Sequence, residues 1–216
     1  MRMLHPNPPH DLTYNDVFMV PNLSDVGSRF NVDLTTPDGI GTTIPIVVAN
    51  MTAVAGRRMA ETAARRGGVA ILPQDIPVAA VSDMTAAVKR SHLVFDTAIT
   101  LLPHDTINDA MNLLFKRSHG AVIVVDDDGR PVGIFTEADG AGWDRFTALS
   151  EVMSPDPIAL PDHLDPRSLF DELSGRRVHL APVVDDDGRL VGVATEASAL
   201  RATQYRPALD GAGRLM

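Results

Sequence analysis

A hydroxyl and a carboxylate, three residues apart, follow an Asp-Asp-Asp-Gly turn in the second half of the chain. The turn lies in Val124–Ala138, which reads VVDDDGRPVGIFTEA, and Val183–Ala197 repeats it as VVDDDGRLVGVATEA. In the first copy, Thr136 precedes Asp139. At a helix N-terminus such a pair can cap the helix, and the same position can hold phosphate while Asp139 accepts hydrogen bonds from a ribose diol. Capping alone and nucleotide binding both remain open for this pair.

The second copy carries a weaker version of the same pair. Thr195 is kept, but Ser198 stands where the first copy has Asp139. A hydroxyl bonds a ribose less strongly than a carboxylate does. The sequence therefore predicts two unequal sites, with the Asp139 site the tighter.

Acidic clusters at the two turns resemble metal sites only superficially. Asp126–Asp128 and Asp185–Asp187 lack the length and the terminal glutamate of an EF-hand loop. His119 and His179 precede the central strands of the two copies, without a suitably spaced second ligand for zinc. We expect the two aspartate clusters to be solvated hairpin tips and the two histidines to pack in the fold or stack on a base. No metal site is expected.

The first 92 residues differ in character from the repeats. Ile44–Ala49 and Val69–Leu72 are apolar runs typical of buried parallel strands, and each precedes a predicted helix, Gly56–Arg66 and Val78–Arg90. Asn50 and Met51 follow the first of these strands, at the end where α/β folds place their chemistry. Two such units complete neither a sheet nor a barrel, so the remaining strands are expected from outside this sequence.

The repeats have a regular plan of their own. Strands are predicted at Thr97–Leu102, Ala121–Val125, Pro131–Phe135, Pro157–Leu160, Leu180–Val184 and Leu190–Ala194. Helices are predicted at Asp105–Arg117 and Asp165–Leu173, and further helices open at Thr136 and Thr195. Near the N-terminus, Asp16–Val20 is predicted as a short strand or turn, and Phe30–Leu34 as an edge strand.

Composition excludes several classes of protein. The 216 residues are 44% hydrophobic with a net charge of −9, which favours a globular fold and argues against nucleic-acid binding. With no cysteine, the chain has no disulfide and no cysteine nucleophile. No secretory signal and no membrane-length apolar run is present. The expectation is a cytoplasmic protein without membrane or nucleic-acid partners.

Residues 93–204 resemble a tandem pair of cystathionine-β-synthase (CBS) domains, also called a Bateman module. The resemblance rests on Val132–Asp139 and Val191–Ser198, where an apolar-Gly-apolar hairpin strand runs into the polar motif. It implies that the pair binds ATP or GTP as a regulatory effector. The implied binding residues are Thr136, Asp139, His119 and Ala121 in the first copy, and His179, Pro182, Thr195 and Ser198 in the second.

The flanking residues resemble the IMP dehydrogenase/GMP reductase family. The resemblance rests on Leu12–Pro21, Ile44–Met51, Gly67–Ile71 and Tyr205–Leu215. It implies an α/β fold in which a (β/α)8 TIM barrel begins over residues 1–92. The CBS domains follow at 93–148 and 149–204, and 205–216 return towards the barrel. The family's catalytic cysteine loop is not in this sequence, so these residues alone are expected to be inactive.

The resemblance also implies a reaction and a branch. Asn50 and Met51 would line a purine-nucleotide pocket, and Asn50 favours the GMP reductase branch, which uses NADPH. Thr52-Ala53 and Pro73-Gln74 depart from the family's usual Asp-Thr and His-Lys. A divergent IMP dehydrogenase is the alternative within the family, and a stand-alone CBS nucleotide sensor is the alternative outside it. A homo-oligomer that binds purine nucleotides is expected, as a dimer through the CBS pairs and as a tetramer or octamer when intact.

Overall fold

The computed structural model describes residues 9–216, and contacts between residues divide the chain after Asp33 into two units. In the first unit, 3-10 helices form at Tyr14–Asp16 and Arg29–Asn31. The edge strand predicted at Phe30–Leu34 is therefore wrong. Ser28 accepts a hydrogen bond from the Phe30 amide (3.3 Å), and this local cap favours a turn over an extended strand.

The second unit opens with two strand–helix units. They are β1 (Val47–Val48), α1 (Arg57–Arg65), β2 (Val69–Ala70) and α2 (Val78–Arg90). The two strands pair in parallel, as the α/β order predicted. They are shorter and more exposed than predicted, since Ile46 and Val47 are 55% and 62% exposed. An apolar parallel strand is buried only when elements cover both of its faces, and within this unit one neighbouring strand pairs with β1.

Helix α1 packs through a small apolar face and ends at a glycine. Ala60 and Ala64 are buried against Val88 of α2 and Leu215 near the end of the chain. Gly67 follows with φ +93°, where a Cβ atom would lie 1.9 Å from the Thr43 hydroxyl. Only glycine fits this close approach.

The remaining residues fold as two repeats of one plan. The first contains β3 (Thr100–Leu101), α3 (Ile107–Leu114), β4 (Ala121–Val125), β5 (Pro131–Thr136), α4 (Leu149–Val152) and β6 (Ser154–Pro155). The second contains β7 (Leu160–Pro161), α5 (Pro166–Arg176), β8 (Leu180–Val184), β9 (Leu190–Thr195) and α6 (Glu196–Gln204). The sheet orders are β3-β4-β5-β6 and β7-β8-β9.

The two repeats share even their irregularities. Ala121 pairs with Thr136 in the first antiparallel hairpin, and Leu180 pairs with Thr195 in the second. In each hairpin the pairing register shifts between the last two valines before the Asp-rich turn, Val124 and Val125 in the first and Val183 and Val184 in the second. The internal repeat seen in the sequence is therefore a repeat in structure.

Each repeat has its own hydrophobic core. The first core is formed by Ile107, Ala110, Leu114, Val122, Val124, Phe135 and Leu149. The second is formed by Phe95, Leu160, Leu169, Leu173, Ala181, Val183, Ala194 and Ala199. Phe95 lies just before β3, near the predicted start of the first repeat. Its side chain nevertheless packs in the second core. Residues 92–97, which we call the connector, therefore contact both repeats, since Asp96 pairs with Val193 and the Thr97 carbonyl lies beside His119.

One predicted helix does not form. The residues after Thr136 make successive turns, whereas α6 forms after Thr195 as predicted. Gly140 and Gly142 follow in the first copy, and Gly142 has φ +84°. Two glycines within one helical turn disfavour a helix.

Among residues 9–216, no helix is both long enough and apolar enough to cross a membrane.

Candidate functional site

The carboxyl ends of β1 and β2 bring polar residues to one edge of the α/β piece. Asn50 and Met51 lie just after β1, beyond Ala49, and both are exposed, Met51 by 58%. The amide of Met51 donates to the Ala49 carbonyl (2.8 Å), and the Met51 carbonyl accepts from Val54 and Ala55. This turn holds both side chains at the surface, so they are free to meet a ligand.

A hydrogen bond that the sequence did not reveal joins the two strand ends. The Thr52 hydroxyl lies 2.9 and 2.8 Å from the two carboxylate oxygens of Asp75. Thr52 follows β1, and Asp75 lies in the segment after β2. This hydrogen bond connects the Asn50–Met51 turn to the segment that follows β2. In the sequence, only the unusual threonine at position 52 indicated that this turn differs from the family pattern.

In the first repeat, Asp139 folds back onto Thr136. One oxygen, Oδ2, accepts from the Thr136 amide and from its hydroxyl, both at 2.7 Å. The other oxygen, Oδ1, has no hydrogen-bond partner in the described part of the chain, and Asp139 is half-buried. The carboxylate can therefore stabilise its own turn and still accept a bond from a ligand.

His119 and Ala121 lie beside this turn. Ala121 is buried and pairs with Thr136 across the hairpin. The His119 Nε2 lies 3.2 Å from the Thr97 carbonyl, which can only accept, and Nδ1 accepts from the Ala121 amide (3.4 Å). Burial lowers the pKa of His119, so the ring is neutral at neutral pH. All four predicted residues of the first repeat thus lie at one end of its sheet.

The second repeat uses its motif differently. The Ser198 hydroxyl accepts from the Thr195 amide and donates to the Thr195 carbonyl, both at 2.9 Å. Ser198 is 1% exposed. The pair caps α6. Pro182 is buried within β8, while His179 is exposed, so the four residues predicted here do not present one common surface.

A buried carboxylate joins α1 to the repeats. Glu61 is fully buried and accepts from Arg57 Nε (2.8 Å) and the Thr97 hydroxyl (2.8 Å). Arg117, beyond the end of α3, donates to both of its oxygens at 2.7 and 3.3 Å. Residues of α1, the connector and the first repeat therefore share one acceptor.

The second repeat joins this cluster through Asp96. Arg201 of α6 donates to Asp96 at 2.9 Å and also to the Val94 carbonyl. Arg65 of α1 lies 3.7 Å from the same carboxylate. Asp96 itself pairs with Val193 of β9 through two 2.9 Å backbone bonds. We call the cluster of Arg57, Glu61, Arg65, Asp96, Thr97, Arg117 and Arg201 the Glu61 network.

Hydrogen bonds within the Glu61 network keep the Glu61 carboxylate ionised. Burial alone would raise the pKa of Glu61, but hydrogen bonds from Arg117 and Arg57 outweigh it and lower the pKa below 4.5. Sequence reasoning missed this network. The spacing Arg57, Glu61 and Arg65 signals helical ion pairs, yet nothing in the sequence indicates the partners from distant residues.

The Asp-rich turns serve their own hairpins. The Asp126 carboxylate accepts from the Asp128 and Arg130 amides at 3.0 and 2.8 Å, and Asp185 does the same in the second repeat. In the described part of the chain, no cluster of three or more His, Cys, Asp or Glu side chains could hold a metal ion. These aspartates stabilise turns.

Comparison with known proteins assigns the family. Residues 11–209 match the IMP dehydrogenase / GMP reductase domain. The chain belongs to this family. GMP reductases of Mycobacterium bovis and Mycobacterium tuberculosis are 54% identical to it over 216 residues, which is 100% of the chain and 45% of each relative.

Other members of the family are more distant. The IMP dehydrogenase of Methanocaldococcus jannaschii is 31% identical over 207 residues, covering 94% of the chain and 42% of the relative. A crystal structure of GMP reductase from Trypanosoma brucei in complex with guanosine 5'-triphosphate matches with a TM-score of 0.67 at 28% identity. That match covers 97% of this chain and 52% of the other. The chain spans less than half the length of the mycobacterial and Methanocaldococcus jannaschii relatives.

Proposed function

We propose that the chain is the beginning of the catalytic barrel and the regulatory region of a GMP reductase. In this reaction GMP, NADPH and a proton give IMP, NADP⁺ and ammonia, so that the purine C2 exchanges its amino group for a hydrogen. The observation that carries the proposal is the 54% identity with GMP reductases over all 216 residues. Identity with the IMP dehydrogenases is near 31%.

Asn50 and Met51 are the proposed substrate contacts. They lie exposed at the end of β1, where a side-chain amide can read a purine edge and a thioether can pack against the ring. The Thr52–Asp75 hydrogen bond holds their turn against the second strand end. These contacts support a nucleotide pocket at this edge of the barrel.

The residues present do not form a site for NADPH. Its phosphate groups need basic partners, but the strand ends carry Asn50, Met51, Thr52, Gln74 and Asp75. None of these side chains is positively charged. The proposal therefore places the dinucleotide on parts of the enzyme outside this chain, as it does the catalytic cysteine.

We propose that the two repeats are a CBS pair that binds ATP or GTP as an effector. The shared register, the repeated motif and the similarity to a GMP reductase that was crystallised with GTP support this assignment. The proposed site in the first repeat is formed by Thr136, Asp139, His119 and Ala121. In the second repeat we propose weaker binding at His179, Pro182, Thr195 and Ser198, since these residues do not present one common surface and Ser198 is buried in its own cap.

The proposed domains are 1–92 for the barrel, 93–148 and 149–204 for the CBS pair, and 205–216 for the return to the barrel. The first residues of 149–204 extend the first repeat, because β6 pairs with β5 and Leu149 packs in the first core. The last segment contacts the barrel piece, because Leu215 packs on α1 and α2 and the Ala208 amide donates to the Ala64 carbonyl (2.8 Å). We propose a homo-oligomer for the intact enzyme.

The activity is tested by supplying the full-length enzyme with either GMP and NADPH or IMP and NAD. We expect NADPH to be consumed in proportion to IMP and ammonia formed, with no NAD reduction in the second mixture. NAD reduction with IMP, without any turnover of GMP, would establish the alternative, a divergent IMP dehydrogenase.

A further inference from the structure

An arginine-rich cleft of about 380 Å³ lies between α1 and the first repeat. We call it the arginine cleft; its charged and histidine lining consists of Arg58, Arg65, Arg66, Arg117, Asp96 and His119. Its volume lies within the range of about 300–1,000 Å³ that small-molecule sites have in proteins. The cleft does not overlap the strand ends that carry Asn50 and Met51.

Positive charge is concentrated at this cleft, although the whole chain has a net charge of −9. Glu61 and Asp96 provide the carboxylates for its buried arginines, and they also contact Arg57 and Arg201. Four arginine side chains line the cleft, beside the carboxylates of Asp96 and the buried Glu61, which leaves an excess of two positive charges there. Like charges this close repel one another, so an anion in the cleft would stabilise them.

Two of the arginines have no carboxylate partner among the described residues. Arg58 donates to the carbonyls of Phe115 and Lys116 at 3.2 and 2.9 Å, beyond the end of α3. Arg66 donates to the Thr62 carbonyl within its own helix (3.3 Å). Each guanidinium has five N–H donors, so both keep donors for a ligand.

We propose that the arginine cleft binds the phosphate chain of a polyphosphate anion, the di- or triphosphate of a purine nucleotide. The planar guanidinium matches phosphate oxygens in pairs, which favours arginine for this task. His119 lines the cleft and also accepts from the amide of Ala121, which pairs with Thr136, so the cleft and the proposed effector site share this side chain. The inference rests on the proposed effector site and adds that α1 of the barrel contacts the effector directly.

The test is calorimetric titration of the protein with GTP, GMP and inorganic tripolyphosphate. The variant Arg66→Ala removes an exposed cleft arginine, and Arg189→Ala removes an exposed arginine from the other repeat's turn as a matched control. Arg66→Ala should weaken GTP and tripolyphosphate binding roughly tenfold, since it removes charge-assisted hydrogen bonds, and should affect GMP less. Arg66→Lys should restore part of the affinity, and added salt should weaken wild-type binding.

The outcomes separate the inference from the effector proposal. Unchanged GTP affinity in Arg66→Ala, with GTP binding still weakened by Asp139→Ala, would overturn the cleft and keep the effector site. Tripolyphosphate binding that Arg66→Ala abolishes, with nucleotide binding indifferent to Asp139→Ala, would keep the cleft and overturn the effector site. An equal loss of affinity in Arg189→Ala would show a general charge effect and would overturn the cleft.

Discussion

The Arg117 guanidinium of the first repeat holds the buried Glu61 carboxylate of α1 through hydrogen bonds of 2.7 and 3.3 Å. The two residues are 56 positions apart in the chain. Glu61 lies on the helix that follows the Asn50–Met51 turn, and Arg117 lies two residues before His119. This ion pair therefore joins the helix after the Asn50–Met51 turn to the segment before His119, between the proposed substrate contacts and the proposed effector site.

Removing the Glu61 carboxylate should destabilise the fold. Glu61→Ala leaves Arg65 and Arg117 without their shared acceptor, and breaking a buried ion pair costs about 3–5 kcal/mol. The check is the free energy of unfolding from urea titration. As the control, Glu172→Ala removes the exposed pair with Arg176 and should cost less than about 1 kcal/mol. Equal losses in both variants would show that the network is not the source of stability.

Acidification should destabilise the connector through His92. Its Nδ1 accepts from the Val94 and Phe95 amides at 3.1 Å, and its ring stacks on Phe95. Burial and the nearby Arg65 lower the pKa of His92 below 6.5. The unfolded chain thus takes up the proton more readily, so this contribution is present above pH 6.5 and is lost as the pH falls.

The matched variant for this effect is His92→Asn, which keeps an acceptor but does not titrate. Urea unfolding at about pH 7.5 and about pH 5.5 should show a smaller loss of stability in the variant than in the wild type. His119 titrates in the same direction, so some loss remains. A wild-type stability that rises on acidification over this range would contradict the assignment.

Gly192 should be intolerant of a methyl group, although φ there is ordinary. An added Cβ would lie 2.9 Å from the Asp96 carbonyl oxygen and 3.0 Å from the Phe95 Cβ, where the connector crosses β9. Gly192→Ala should cost roughly 1–3 kcal/mol of stability through overpacking. In contrast, Gly175→Ala meets open space within α5 and should be neutral or stabilising by up to about 1 kcal/mol. Thermal unfolding of the two variants compares them directly, and similar midpoints would argue against the close approach.

The two repeats should differ in nucleotide affinity. Asp139→Ala removes a half-buried carboxylate with a free oxygen, and we expect it to weaken ATP or GTP binding roughly tenfold. Ser198→Ala should weaken nucleotide binding less than Asp139→Ala does and should destabilise α6, because the Ser198 hydroxyl makes both of its hydrogen bonds to Thr195 in the helix cap. Calorimetry with both variants makes the comparison. Loss of binding in Ser198→Ala alone would reverse the assignment.

Local patterns predicted most elements of this fold. The bounds of Val78–Arg90, Ala121–Val125 and Leu180–Val184 are those predicted, because apolar periodicity and flanking turns act over a few residues. The prediction of a helix after Thr136 was wrong. It was based on the similarity between the two repeats, whereas Gly140 and Gly142 disfavour a helix there. Greater weight on those glycines would have corrected the prediction.

Long-range contacts could not be read from the sequence. Glu61 looks like a solvent-facing residue of an amphipathic helix, and its burial depends on Arg117 arriving from another element. Phe95 likewise precedes the first repeat but packs in the second core. Among the candidate site residues, Thr136, Asp139, His119 and Ala121 do lie together. For the second repeat, only the Thr195–Ser198 pair could be anticipated, and as a cap.

The central claim is that the repeat pair senses purine nucleotides for a GMP-reducing barrel. It is tested by the rate of NADPH oxidation with GMP in the full-length enzyme, recorded against GTP and ATP concentration for wild type and Asp139→Ala. We predict GMP-dependent oxidation in both proteins, a wild-type rate that changes with at least one nucleotide, and a response in Asp139→Ala that needs roughly tenfold more of it. A rate that is indifferent to both nucleotides, or an enzyme that does not reduce GMP, would contradict the account.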